Sequence, residues 1–185
     1  HHGGLDSLVV RDLGLEAGDP DLKAWNEIVT RVLSPTKHAV VGIVGKYTHV
    51  RDAYKSIIEA CVHAGAANNA RVELRWIEGE EIEQKGAAAF LNDLDGIVVP
   101  GGFGERGIEG KILAAQFARE RGIPYLGLCL GMQVATIEFA RHVAGWAQAN
   151  SSEFDPSTPQ KVIDLLSEQS DVTEKGGTMR LGSYR

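Results

Sequence analysis

Apolar and polar positions alternate in a regular order from residue 39 onward. Residues 40–44 are a short β-branched run, which predicts a buried strand. Residues 52–67 follow, with Tyr54, Ile57, Ile58, Cys61 and Val62 at helical spacing. Residues 71–77 alternate as a strand, 80–91 read as a helix, and 95–99 form an apolar strand that runs into Pro100-Gly101-Gly102. Residues 109–121 predict a helix closed by Gly122, residues 123–128 an apolar strand, and residues 130–141 another helix. Strands and helices in this order predict an α/β domain with an open parallel sheet, right-handed crossovers and helices on both faces. Beyond residue 141 the pattern weakens, and Gly176-Gly177 predicts a turn before Thr178-Met179-Arg180-Leu181.

The first 36 residues stand apart from this alternation. Asp19 followed by Pro20 predicts a helix start, a capping carboxylate and then a residue that needs no N–H. The helix runs to about residue 33 with Leu22, Trp25, Ile28, Val29 and Val32 on one side. Ser34-Pro35-Thr36 breaks it and reads as a linker, so the α/β domain spans residues 37–185.

Composition narrows the function. The chain has 185 residues, 43% of them hydrophobic, enough for one α/β domain and a small appendage. A net charge of -6 argues against nucleic acid or an anionic membrane surface as partner, since both need a basic face. The two cysteines, Cys61 and Cys129, can form neither a disulfide framework nor a four-thiolate zinc site, which predicts a reducing, cytoplasmic setting. No apolar run approaches the roughly 18 residues of a membrane span.

Two strand ends carry chemistry, and in open α/β sheets ligands bind beyond the carboxyl ends of strands. The first is Gly127-Leu128-Cys129-Leu130-Gly131, the thiol form of a nucleophile elbow. Such a turn places Cys129 at a helix N-terminus, where the dipole favours thiolate, and aims the Leu130 N–H at an incoming oxyanion. The second is Pro100-Gly101-Gly102-Phe103-Gly104, whose glycines free backbone N–H groups and permit close approach of a ligand. One amide of this turn completes an oxyanion hole with Leu130.

Other features have plainer readings. Cys61 sits in an apolar helical stripe and reads as a small core residue. Gly42-Ile43-Val44-Gly45-Lys46 is not a phosphate loop, because Val40 and Tyr47 stand where glycine and a serine or threonine are required. Trp25 and Trp76 read as packing residues, and Glu78-Gly79-Glu80-Glu81 as a solvated helix start. A thiol nucleophile also needs a base. His38, His49 and His63 lie in no strand-end motif, and His142 falls about 18 Å from the thiol at roughly 1.5 Å per helical residue.

The elbow with its continuation Met132-Gln133 resembles the triad-type, class I glutamine amidotransferases. Longer strings resemble the CTP synthase family within them: Gly45-Lys46-Tyr47-Thr48, Asp52-Ala53-Tyr54-Lys55-Ser56, Pro100-Gly101-Gly102-Phe103-Gly104, Arg106-Gly107, Glu109-Gly110-Lys111, Ala149-Asn150-Ser151, Glu153-Phe154 and Gly176-Gly177-Thr178-Met179-Arg180-Leu181-Gly182. The resemblance implies a flavodoxin-like sheet, incomplete at the C-terminus, and a glutaminase in which Cys129 forms a glutamyl thioester. It implies oxyanion-hole amides from Gly102 and Leu130. It implies glutamine binding by Gly102, Leu130, Gly131, Met132, Gln133 and Glu153, with Glu153 facing the α-ammonium group, and a contact of Arg106 with GTP.

It further implies that residues 1–36 join the domain to a preceding synthetase domain, in a homotetrameric parent that uses ATP and Mg2+ to make CTP from UTP, with GTP as activator. The stretch itself needs no cofactor and no metal; its partners are L-glutamine and that synthetase domain. In the family a His-x-Glu pair follows the string that ends at Gly182, so this stretch alone is expected to turn over little. Two competing readings are a cysteine hydrolase on the same scaffold, which requires a histidine near Cys129, and a non-catalytic regulatory module, against which the intact elbow argues.

Overall fold

The computed structural model describes residues 3–46, 48, 51–102 and 104–164. A parallel sheet organises the chain. Strand β1 (Lys37–Gly45) pairs with β2 (Ala70–Glu78) on one side and β3 (Gly96–Val99) on the other, and β4 (Tyr125–Gly127) pairs with β3. The order β2-β1-β3-β4 is that of flavodoxin-like sheets, with the direction of travel reversing between β1 and β3. Helix α3 (Lys55–Asn68) makes the first crossover, α4 (Gly79–Lys85) and α5 (Ala88–Leu91) the second, and α6 (Ile108–Arg121) the third; α7 (Leu130–His142) follows β4. Right-handed crossovers place α3 on one face and α4, α5 and α6 on the other. Helix α7 packs on α6, and α2 (Lys23–Leu33) leans on α3.

The core lies between the sheet and the α6–α7 layer. Val44, Ile97 and Val99 from the strands meet Ile112 and Ala114 of α6 and Leu130, Val134 and Ile137 of α7, all at or near zero exposure. The opposite face is thinly covered: α3 buries only Gly65. Leu126, the central residue of β4, points to that face and is 54% exposed.

Several boundaries differ from those expected. Helix α2 starts at Lys23, because Asp21 rather than Asp19 turns the chain, its Oδ1 accepting the Lys23 N–H at 3.0 Å. None of its residues is buried, and the apolar stripe through Trp25, Ile28, Val29 and Val32 keeps 45% to 65% of its surface exposed. Residues 3–36 hold a further helix, α1 (Leu5–Asp12), whose residues are likewise unburied. A 3-10 turn (Arg51–Tyr54) precedes α3. The helix expected over 80–91 is two helices, broken at Gly86, whose φ of 83° no helix accommodates. Strand β4 is shorter than expected because Pro124 offers no N–H to the ladder. Past α7, β5 (Ala149–Ser151) and β6 (Gln160–Ile163) form a separate parallel pair. The expected turn at Gly176-Gly177 lies outside the described residues. Among the described residues no helix is long and apolar enough to cross a membrane.

Helices α4 and α6 cross with their backbones in contact. A Cβ on Gly110 would overlap the Gly79 carbonyl, with the Gly79 carbon 2.7 Å away, and a Cβ on Gly79 would lie 2.5 Å from the Gly107 oxygen. Across the same crossing Glu83 Oε1 accepts the Gly110 N–H at 3.0 Å, capping α6, whose own N-cap Gly107 has no side chain to do so. Gly110→Ala is therefore expected to lower stability by about 2 kcal/mol, the usual scale of overpacking. Gly96→Ala, whose Cβ would meet nothing closer than the Pro124 oxygen at 3.7 Å, is expected to be near neutral. Urea midpoints at unchanged m-value measure both.

Candidate active site

The carboxyl ends of β3 and β4 meet as their glycines require. Cys129 follows β4 and is the residue before α7, with φ 52° and ψ -106°, outside the conformations that side chains ordinarily adopt. The backbone folds tightly around it. A Cβ on Gly127 would strike the Gly131 carbonyl group, with the Gly131 oxygen 2.5 Å away, and one on Gly131 would overlap the Val99 carbonyl. The Leu128 N–H donates to the Val99 oxygen at 2.9 Å, and the Met132 and Gln133 N–H groups donate to the Cys129 oxygen at 3.0 and 3.1 Å. Cys129 is exposed, while Leu130 beside it is 1% exposed. As the first residue of α7, Leu130 has an N–H outside the helix's own ladder.

The glycine turn lies against this elbow. A Cβ on Gly101 would sit 3.4 Å from Cys129 Cβ and 4.0 Å from its Sγ, and one on Gly102 would sit 3.6 Å from Leu130 Cδ2. The two strand-end motifs thus flank one exposed thiol. Gly131, Met132 and Gln133 form the first turn of α7, with Met132 exposed and Gln133 half-buried. Phe103 lies outside the described residues.

A family model for class-I glutamine amidotransferases matches residues 49–185. The chain belongs to the class-I glutamine amidotransferase family. Over 98% of its length it is 57% identical to the CTP synthase of Carboxydothermus hydrogenoformans and covers 34% of that protein. It is 54% identical to the CTP synthase of a Roseiflexus species, again over 98% of this chain and 33% of the relative. The chain thus spans about a third of the length of the curated relatives it matches. Among solved structures it resembles the glutaminase domain of Trypanosoma brucei CTPS with bound acivicin, at 41% identity and a TM-score of 0.67, over 71% of this chain and 51% of that one.

Glu153 follows β5 with an exposed side chain, its N–H donating to Ser151 Oγ at 3.2 Å. Arg106, in the loop entering α6, makes a two-pronged ion pair with Glu80; its second nitrogen lies 2.6 Å from Oε2. That hydrogen bond, chiefly, holds the Glu80 carboxyl below the usual range. Among the described residues the histidines lie away from the thiol. His38 opens β1 at the opposite end of the sheet, 3.3 Å from Glu73 Oε2, and His63 is exposed on α3. His142 ends α7, its Nδ1 3.3 Å from Glu138 Oε1. His49 lies outside the described residues.

The acidic run at 78–81 is more than a solvated helix start. Glu78 Oε1 accepts the Thr48 N–H at 2.6 Å and its hydroxyl at 2.8 Å, pinning the loop that follows β1. Tyr54 Oη donates to the Lys46 carbonyl at 2.5 Å, and the Lys46 Nζ lies 3.8 Å from where a Cβ on Gly104 would stand. Lys111 on α6 is buried, which is the main cause of its lowered pKa; the Lys46 charge adds to it and Glu78 and Glu83 oppose it. No local pattern announces the contacts of Glu78 and Lys111, since their partners lie far away in the chain.

The two thiols differ in setting. Cys61 is half-buried, and burial pushes its pKa up, whereas Cys129 is exposed. Iodoacetamide at neutral pH is therefore expected to label Cys129 several-fold faster, since reaction requires an accessible thiolate. Peptide mapping of a time course checks this; earlier labelling of Cys61 contradicts it.

Proposed function

We propose that this chain is the glutamine-hydrolysing part of a CTP synthase. The observation that carries the proposal is the exposed Cys129 at φ 52°, between the Leu130 N–H and the Gly101-Gly102 turn. The thiolate attacks the side-chain amide carbon of L-glutamine. The oxyanion of the tetrahedral intermediate takes hydrogen bonds from the Leu130 and Gly102 amides, which are fixed before reaction and need no reorganisation. Collapse expels ammonia and leaves a glutamyl thioester on Cys129, which water then hydrolyses to glutamate. The proton that ammonia carries away comes from a histidine held by a carboxylate in the remainder of the longer protein.

Gly131, Met132 and Gln133 line the glutamine beside the elbow, and the Glu153 carboxylate faces its α-ammonium group, the natural partner for that cation. The ammonia passes to a synthetase domain of the same protein, where ATP and Mg2+ activate UTP for amination to CTP. GTP acts as activator through Arg106, a contact that competes with Glu80 for the guanidinium. The whole enzyme is a cytoplasmic homotetramer.

The division of labour is tested in the full-length protein. Cys129→Ala is expected to abolish CTP formation from glutamine and to preserve it from free ammonia, since a single thiol at an exposed elbow leaves little void. Equal loss of both activities in folded protein contradicts the proposal. Glu153→Ala is expected to act mainly on glutamine affinity, raising KM about tenfold or more while ammonia-dependent synthesis stays intact.

A further inference from the structure

The residues facing α7 from β4 are Tyr125 and Gly127, which share one side of the strand because side chains alternate. Gly127 meets the start of α7 by having no side chain. Tyr125 meets it with a hydrogen bond: the phenol donates to the Gly131 carbonyl at 2.8 Å. That carbonyl belongs to the residue whose backbone is pressed on the Val99 oxygen, two positions beyond Cys129. We propose that Tyr125 is a positioning residue, whose phenol holds the first turn of α7 at a fixed angle to the sheet and so places the Cys129 thiol and the Leu130 N–H for acylation.

Three ties locate the elbow. The Leu128 N–H to the Val99 oxygen, at 2.9 Å, fixes the chain just before Cys129 to the end of β3. The Gly131 backbone on Val99 limits how near α7 can come. Contact of that kind resists compression but not separation, and the Tyr125 hydrogen bond opposes separation. The phenol keeps its proton across the working range, because burial, aided by the Glu138 charge, pushes its pKa up. It therefore remains a donor. Glu138 is itself engaged by Arg119 from α6, at 2.8 Å, and leaves the phenol to the Gly131 carbonyl.

The inference rests on the proposed role of Cys129, and the test separates the two. Tyr125→Phe removes the oxygen and keeps the ring, in the full-length protein, with Cys129→Ala alongside. The glutamine-dependent kcat of Tyr125→Phe is expected to fall about tenfold, since small misplacements of reacting groups are costly. Its KM is expected to stay within about twofold, the pattern of an interaction felt in the transition state. Ammonia-dependent synthesis is expected to be unchanged. A second measurement compares inactivation by a glutamine-like chloroketone, which needs the placed thiol, with alkylation by iodoacetamide, which needs only an accessible one; the ratio of the two rates is expected to fall. Unchanged kcat in Tyr125→Phe, with Cys129→Ala inactive, overturns the positioning role and leaves the nucleophile intact. Equal loss of glutamine- and ammonia-dependent activity with an unchanged reagent ratio also overturns it, because Tyr125 then serves stability alone. Glutamine-dependent activity in Cys129→Ala strikes instead at the reading on which the inference rests.

Discussion

The site depends on one point of backbone crowding. The first turn of α7 is pressed on the end of β3 so closely that residue 131 has no room for a side chain, and residue 127 has none because residue 131 is there. A chain that must leave β4 and enter a helix in so short a space passes through a conformation with φ 52° at Cys129. Such a backbone costs of order 1–3 kcal/mol and persists only where its surroundings over-determine it. They do so here. Leu130, Val134 and Ile137 anchor α7 with 1% exposure or less. The strained residue stays exposed while Leu130 beside it is buried, which puts the Cys129 thiol at the surface of a rigid scaffold.

The same economy of space shapes the turn that faces the thiol. The Gly101–Gly104 loop leads into α6, and α6 is placed by its glycine-to-glycine crossing with α4 and by the Glu83 cap. Glu78, at the end of β2, ties the loop after β1 into this corner, and Glu80 holds Arg106 over it. The carboxyl ends of β1, β2 and β3 are thus linked through charged side chains, whereas β3 and β4 are linked through bare backbone. The first kind of link can exchange partners with an anionic ligand; the second cannot.

What the sequence makes legible follows the range of the forces involved. The elbow lies within five consecutive residues, and its glycines mark the crowding directly, so the sequence alone reveals it. The alternation of strands and helices, and the stop of α6 at Gly122 with φ 67°, are local for the same reason. The break at Gly86 is local too, but an apolar run continuing to Leu91 outweighs a single glycine. Residues 78–81 read as a solvated acidic run because their partners, Thr48 and Arg106, are 30 and 26 residues away. Strands β5 and β6 are too short to show a period. The apolar stripe of α2 carries the pattern of a buried helix, and only the fold shows that none of its residues is buried.

The role proposed for this crowded elbow is to present Cys129 as a covalent nucleophile toward glutamine. Rapid acid quenching of the full-length protein during turnover, followed by intact-mass and peptide mass spectrometry, addresses it directly. A transient adduct of one glutamyl group is expected on the peptide that holds Cys129, labile to hydroxylamine and absent without glutamine. Turnover with no such adduct under conditions that trap thioesters, or an adduct on Cys61, would contradict it.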